Sequence, residues 1–492
     1  MGNFLCFDLG TTKIKSALIS YDGNIIYSSE EKAKTYSDDE GVYQKPEEYF
    51  NTVVSEIKEI KKRYPSHLSK AESLICSGQM AGILGIDMNW EVVFPWTYSV
   101  DTRANSYLSE IEGSMGGEIR ESSGGVPFMA AKMKWIKENF PKDYKKIYKF
   151  INLTTYVAGR MCNLSGDDAF IDYSVLTMSG LADIEKGRWN RKICSELGID
   201  INRLPHILRP FECVGYIDKN RFGTEEDIKV LVGIGDQIAG FIGAGILDKN
   251  DLVDVAGTYT VLGYCTDSFI ADYKNKIISS IFSGIDDIYY HLAVVAVGGY
   301  VYSWFKEKFS YDDKKNPVQI KDTDGLYFIP HIGGRSSPSQ PYYEGTWVGI
   351  KWHHDLDSFY ISLLESIGYE FNYVLNWVKE LNVLREDSIR EIKVIGGGSK
   401  NSIWNSIKSN ILNLKYLVMK EVPFEIIGSF LVAKYGSNFK EGYKQLIKDN
   451  IISIDEEVYP QKERVNFYKK HIDKYIKVVD KIGKIYCDLN IG

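Results

Sequence analysis

The sequence predicts an α/β protein of two domains closing on a shared cleft, and three observations carry that expectation. Its 492 residues exceed the size at which one hydrophobic core keeps growing. Strand-like and helix-like runs alternate along the chain. One short plan also occurs twice: a strand, a Gly-Thr turn and a returning strand, at DLGTTKIK (residues 8–15) and again at VAGTYTVL (residues 255–262).

Taken in order, FLCFDL (4–9) is a β-rich run, GTT a turn, KIKSALIS (13–20) a strand of period two, YDGN a turn and IIYSS (25–29) a further strand. SLICSG (73–78) reads as a strand, YLSEIEGSMGG (107–117) and KMKWIKENF (132–140) as helices. KVLVGIGDQIAGFIGAGI (229–246) reads as strand, Gly turn and helix. The Gly-rich and polar stretch 243–251 is the best boundary, which divides the chain into domains 1–250 and 251–492. Beyond it, Phe359, Leu363, Ile367, Phe371, Val374, Val378 and Leu381 recur at helical spacing, predicting a long helix packed on one face. A strand, a triple-glycine turn and another helix follow at 391–412. The stripe Tyr468, Ile472, Tyr475, Val479, Ile482 and Tyr486 predicts a docked terminal helix rather than a membrane-surface one.

With 44% hydrophobic and 25% charged residues, the composition is that of a soluble globular protein. A net charge of -7 argues against wholesale contact with a phosphate backbone, so no nucleic-acid partner is expected. Asp8 and Lys13 interrupt the first apolar run, which is neither a secretory signal nor a membrane span. The seven cysteines are scattered without a CxxC pair, as expected of reduced thiols in the cytoplasm. His353 and His354 are adjacent, so on a helix or strand they point apart, and no HExxH spacing exists. No zinc site is expected.

Phosphoryl transfer asks a protein to cradle phosphates, hold a metal ion and aim the accepting hydroxyl. Asp8, next to a glycine at a strand end, can hold hydrated Mg²⁺, while Gly10, Thr11 and Thr12 offer donors to phosphate. An Asx-type turn uses the same residues. Gly257, Thr258 and Tyr259 make the second candidate loop, and the glycines at 396–398 suit close approach to an adenine or ribose. A dinucleotide fingerprint is missing, because GGGSKN lacks GxGxxG and GFIGAG (240–245) falls inside a helix. Asp236, where a strand gives way to a helix, is the candidate general base, and the helix dipole is expected to keep it ionised. A helix N-cap is the competing reading. Gln79, Asp101 and Arg103, in SGQMAG and SVDTR, offer donors and acceptors to a polyhydroxyl ligand, or else are turn and ion-pair residues.

Together these segments resemble the FGGY carbohydrate kinase family over almost the whole chain. DLGTTKIK resembles its first phosphate motif, SGQMAG and SVDTR its sugar-contacting segments, and GIGDQIAGFIGAG the segment of its catalytic aspartate. KMKWIKEN and GTWVGIKWHHDLDSFYISLLE resemble its two signatures, GGGSKNSIWN its adenosine loop, and Gly428 after Glu425 its closing helix. The resemblance implies two actin-like ATPase (ribonuclease H-like) domains around a central cleft. It implies a xylulokinase- or fuculokinase-like enzyme using ATP and Mg²⁺, with Asp8 holding the metal through water. Asp236 is then the base and a sugar contact, Gln79, Met80, Asp101 and Arg103 meet the sugar, and Gly10, Thr11, Thr12, Lys15, Gly257, Thr258, Gly397, Gly398 and Asn401 meet the nucleotide. Ala81 and Ser99 stand where xylulokinase-like members carry His and Trp, and Gly334 replaces an acidic residue. The expected substrate is therefore a pentulose or related ketose or polyol. A non-catalytic relative that binds nucleotide and sugar, or an actin-like ATPase, is the alternative. The sequence is compatible with a homodimer without fixing the oligomeric state.

Overall fold

The computed structural model describes residues 2–38, 41–222, 227–313, 319–381, 389–439, 442 and 452–489. Its framework is two seven-stranded sheets. The first contains β1 (Asn3–Leu9), β2 (Lys13–Ser20), β3 (Ile25–Lys32), β4 (Ala71–Gly78), β5 (Cys213–Tyr216), β6 (Lys229–Leu231) and β7 (Ile234–Gly235). The second contains β8 (Leu252–Ala256), β9 (Thr260–Thr266), β10 (Ser279–Phe282), β11 (Tyr289–Ala296), β12 (Glu391–Ile395), β13 (Lys415–Met419) and β14 (Ile454–Val458).

The sheets share one plan. In the first, β1 pairs antiparallel with β2 and parallel with β4, in the order β3-β2-β1-β4-β6-β5. In the second, β8 pairs antiparallel with β9 and parallel with β12, in the order β10-β11-β9-β8-β12-β13-β14. Each Gly-Thr turn therefore joins the central strand of its sheet to an antiparallel neighbour, as the repeated sequence plan predicts.

Every residue of β1 is buried. Strand alternation sends Phe4 and Cys6 to one apolar core and Leu5, Phe7 and Leu9 to another. In β8, Val253 joins the same core as Phe4, whereas Leu252 and Ala256 join a third. The shared core lies between the sheets, and it contains the elements that set the geometry of the cleft.

The principal helices are α1 (Pro46–Arg63), α2 (Phe128–Asn139), α3 (Asp236–Gly243), α4 (Gly298–Lys308), α5 (Leu356–Glu380), α6 (Ser402–Leu412), α7 (Phe424–Tyr435) and α8 (Lys462–Leu489). Helix α7, from the second half of the chain, packs against β1, β4 and α3 of the first half. The rings of Phe4 and Phe430 meet edge to face, 5.3 Å apart. Helices α3 and α7 touch backbone to backbone. A Cβ on Gly428 would run into the Ala239 carbonyl, and one on Gly243 into the Phe424 carbonyl.

Two expectations need correction. Helix α5 is not packed on one face, since every residue from Tyr360 to Phe371 is buried. Its polar positions survive burial through partners: Glu370 accepts from Arg335 at 2.9 Å and from Tyr475 of α8 at 2.9 Å. His353 and His354 lie in a turn, where strand or helix alternation has no force. Their rings are 4.7 Å apart and converge with Asp324 to within metal-ligand reach. Lys351 already occupies Asp324 at 2.7 Å, and its amide donates to His354 Nδ1 at 3.0 Å. No helix among the described residues is long and apolar enough to cross a membrane.

The crossing predicts a contrast between two Gly→Ala substitutions. Gly428→Ala is expected to destabilise by at least about 1–3 kcal/mol, as overpacking does. Gly117→Ala, in the helix Asn105–Ser123 with open space around it, is expected to be neutral or to stabilise by up to about 1 kcal/mol. Denaturant midpoints of the two variants check the contrast, and equal midpoints would rule out a tight crossing.

Candidate active site

Asp8 lies on the same face of β1 as Phe4 and Cys6, the face covered by α7, and is buried at the strand end. Ser77 of β4 donates to its Oδ1 at 3.1 Å. In the β1–β2 register Lys15 is directly opposite, and its ammonium lies 3.4 Å from Asp8 Oδ2 and 2.9 Å from Glu425 Oε2 on α7. Between the two, Gly10, Thr11 and Thr12 form the turn, with Thr12 exposed. A Cβ on Gly10 would sit 2.7 Å from the Lys13 carbonyl, so the turn closes this tightly only with glycine there.

Asp236 is the first residue of α3. Gly235, not Asp236, is the N-cap, so the competing reading of a capping aspartate does not hold. Two features place the junction. The Gly235 amide donates to Ser174 Oγ at 2.7 Å, and Gly233 takes φ +97°, where a Cβ would press on the Cys76 carbonyl at 2.6 Å. Asp236 Oδ1 accepts from the Gln237 amide at 2.7 Å, whereas Oδ2 has no protein donor among the described residues. Met80 packs on Gly235, where a Cβ would lie 2.7 Å from its Cγ, so the SGQMAG segment abuts the aspartate.

The electrostatics differ from the sequence expectation. Burial, then the charge of Asp8, raises the Asp236 carboxyl to about 7, against the opposing pull of the Gln237 amide and Lys15. The helix dipole does not suffice to keep it low. Burial and then the charge of Glu425 raise Asp8 to about 6. Burial works against the Lys15 ammonium, yet Glu425 and Asp8 outweigh it and raise its pKa. Three carboxylates thus act on one another around a single ammonium.

In the second sheet Gly257, Thr258 and Tyr259 form the corresponding turn, with Thr258 and Tyr259 exposed. Gly396 takes φ +91°, and Cβ atoms on Gly396 and Gly398 would meet Ala256 at 2.9 Å. Gly397 has open space above it, and Asn401 caps α6 through the Trp404 amide at 3.0 Å. A third backbone segment, overlooked in the sequence, joins them. Gly298 and Gly299 open α4, and a side chain on Gly299 would collide with the Gly257 carbonyl. The signal was two glycines one residue after the strand-like run at 289–296. Val255 stands where Asp8 stands in the first hairpin, so the two turns share the Gly-Thr plan and differ in charge.

The remaining predicted residues turn toward protein partners. Asp101 and Arg103 form a bidentate pair, with both contacts at 2.9 Å, and the guanidinium lies 4.6 Å from the Trp135 ring centroid. Gln79 is buried and bonded to Gln44, Tyr49 and Trp96. Lys132 of α2, unremarked in the sequence apart from its place in a motif, donates to the Ala81 carbonyl at 3.1 Å and the Tyr98 carbonyl at 2.7 Å. It fastens both segments, and burial lowers its pKa to about 8.

The N-terminal domain of the FGGY family of carbohydrate kinases matches residues 3–243, and the C-terminal domain of that family matches residues 283–437. The chain belongs to this family. It is accordingly an ATP-using carbohydrate kinase with the actin-like two-domain fold. It is 24% identical over 483 residues to a xylulose kinase of Bacillus subtilis, covering 95% of each chain. It is also 21% identical over 458 residues to a gluconokinase of the same species, covering 88% of this chain and 87% of that one. Among solved structures it resembles ligand-bound xylulose kinase from Lactobacillus acidophilus with a TM-score of 0.87 at 18% identity, covering 99% and 100% of the two chains.

The geometry predicts how Asp236 titrates. Carboxyl-detected NMR of the ligand-free kinase is expected to follow Asp236 with a pKa of about 7, and Asp8→Asn is expected to lower it by removing a neighbouring negative charge. An unchanged value in the variant would separate the two carboxyls.

Proposed function

We propose that this kinase transfers the terminal phosphoryl group of ATP to a hydroxyl of a small sugar, a pentulose or related ketose or polyol, with Asp236 as general base. The observation that carries the reading is the second carboxylate oxygen of Asp236, which has no donor among the described residues and lies at the start of α3 next to the Met80 segment. A carboxyl poised at about 7 is well matched to taking a proton from a hydroxyl near neutrality. In this reading residues 1–250 hold the sugar and the first phosphate loop, and 251–492 hold the nucleotide.

The roles follow from chemistry. Gly10, Thr11 and Thr12 present amides and hydroxyls to phosphate oxygens, with the Lys15 ammonium alongside. Gly257 and Thr258 face the same phosphates from the second half, while Gly397, Gly398 and Asn401 receive the adenosine where a flat backbone surface is available. The site fits Mg²⁺, a hard cation that takes carboxylate oxygens and water: Asp8, held by Ser77 at the end of β1, would hold it through water. Bound there, Mg²⁺ would neutralise charge on the phosphates. Asp236 accepts the hydroxyl proton as the new P–O bond forms. Met80 and the segments of Gln79, Asp101 and Arg103 shape the sugar side, with Ala81 and Ser99 favouring a sugar other than xylulose. The reading includes a cytoplasmic location, in keeping with seven cysteines scattered along the sequence without a CxxC pair.

ADP release with Mg·ATP across ketoses, aldoses, polyols and sugar acids tests the reaction, and stimulation by none would reject it. Asp236→Asn is expected to lower kcat by about 10²–10⁴, the range for general base catalysis. Wild-type kcat/KM is expected to fall as pH drops below about 7, because protonation of the free enzyme removes the base. A variant with normal turnover would reject Asp236 as the base.

A further inference from the structure

A buried hydrogen-bonded relay joins the two ends of the first-half site. Gln44, Tyr49, Gln79 and Trp96 are all buried. Gln79 Nε2 donates to Gln44 Oε1 at 3.0 Å and to the Tyr49 hydroxyl at 3.2 Å, while Trp96 Nε1 donates to Gln79 Oε1 at 3.3 Å. Gln44 Nε2 in turn donates to the Thr11 carbonyl at 2.9 Å and to Thr35 Oγ1 at 3.3 Å. The Tyr49 hydroxyl lies 3.1 Å from the Gly10 carbonyl and 2.8 Å from Gln44 Oε1. It has one proton to give. Gln44 Oε1 has two lone pairs and accepts from Gln79 as well, so the Tyr49 proton is shared between Gln44 Oε1, the nearer acceptor, and the Gly10 carbonyl. The Tyr98 hydroxyl, at the entry to the second sugar segment, reaches the same network through Thr35 at 3.3 Å.

We propose that Gln44, Tyr49 and Gln79 are positioning residues that lock the first phosphate loop to the two sugar segments. The inference rests on the nucleotide role given above to Gly10–Thr12. Holding the Gly10 and Thr11 carbonyls on the protein side orients the turn with its following amides toward the cleft. Because the donors on Gln79 are spent within the relay, its contribution to sugar binding is made through position. A displacement of the sugar segments is therefore felt at the phosphate loop, through groups too deeply buried for water to substitute.

The probe is Mg·ADP alone, with its Kd measured by calorimetry, so that no sugar need be known. Tyr49→Phe removes one oxygen that faces the Gly10 carbonyl, and Gln79→Leu cuts the relay at its far end. Each is expected to weaken Mg·ADP binding by about fivefold or more, the equivalent of one net hydrogen bond. The double variant is expected to be no weaker than the worse single one within about twofold, since both break one chain. Melting temperatures confirm that each variant is folded, and Tyr49→Phe decides alone if Gln79→Leu is not. A folded Tyr49→Phe or Gln79→Leu variant with wild-type affinity, or effects that multiply in the double variant, would overturn the relay. Wild-type protein that binds no Mg·ADP would instead reject the nucleotide reading on which it rests, and the relay with it.

Discussion

Helices α3 and α7 come from opposite halves of the chain and meet where neither carries a side chain. The carbonyls of Ala239 and Phe424 occupy the space that Cβ atoms on Gly428 and Gly243 would need. Backbone contact of this closeness leaves little freedom for the helices to slide. Asp236 begins one of them and Glu425 lies in the first turn of the other, over Gly240. The placement of both acids relative to Asp8 therefore follows from how two glycines pack.

That geometry has an electrostatic consequence. Asp8, Asp236 and Glu425 surround one ammonium, Lys15, so the ligand-free cleft carries excess negative charge where a polyphosphate is proposed to bind. Such a cleft favours an anion that arrives with a divalent cation. Its cost is visible in the raised carboxyls of Asp8 and Asp236, which reduce stability at neutral pH relative to neutral isosteres. A folded pKa above the ordinary carboxylate value means that the native state binds protons more readily than the unfolded chain. The stability these carboxyls give when protonated is therefore lost progressively as pH rises from the ordinary carboxylate value to about 7, and is fully lost above it, where the base is available.

Much of the framework is legible in the sequence because its signals are local. The β1–turn–β2 unit, its counterpart at β8–β9 and the junction before α3 each announce themselves within a dozen residues by alternation and glycine. What escapes is set by contacts between distant segments. Gln44 and Tyr49 are unremarkable polar and aromatic residues until folding brings them against Gly10, Thr11 and Gln79. Asp101 and Arg103 read either as sugar contacts or as a local ion pair, and the fold forms the pair. Helix α5 has a regular apolar stripe, but the other side is also covered, and nothing in a helical period reports a second neighbour. Gly298 and Gly299 did carry a local signal, two glycines between a strand and a helix.

A crystal structure with Mg²⁺, a non-hydrolysable ATP analogue and the sugar selected by turnover tests the account most directly. A sugar hydroxyl is predicted within about 2.6–3.2 Å of Asp236 Oδ2, with the terminal phosphate between the Gly10–Thr12 and Gly257–Thr258 turns. A sugar whose reactive hydroxyl lies away from Asp236, or a terminal phosphate that touches only one of the turns, would contradict it.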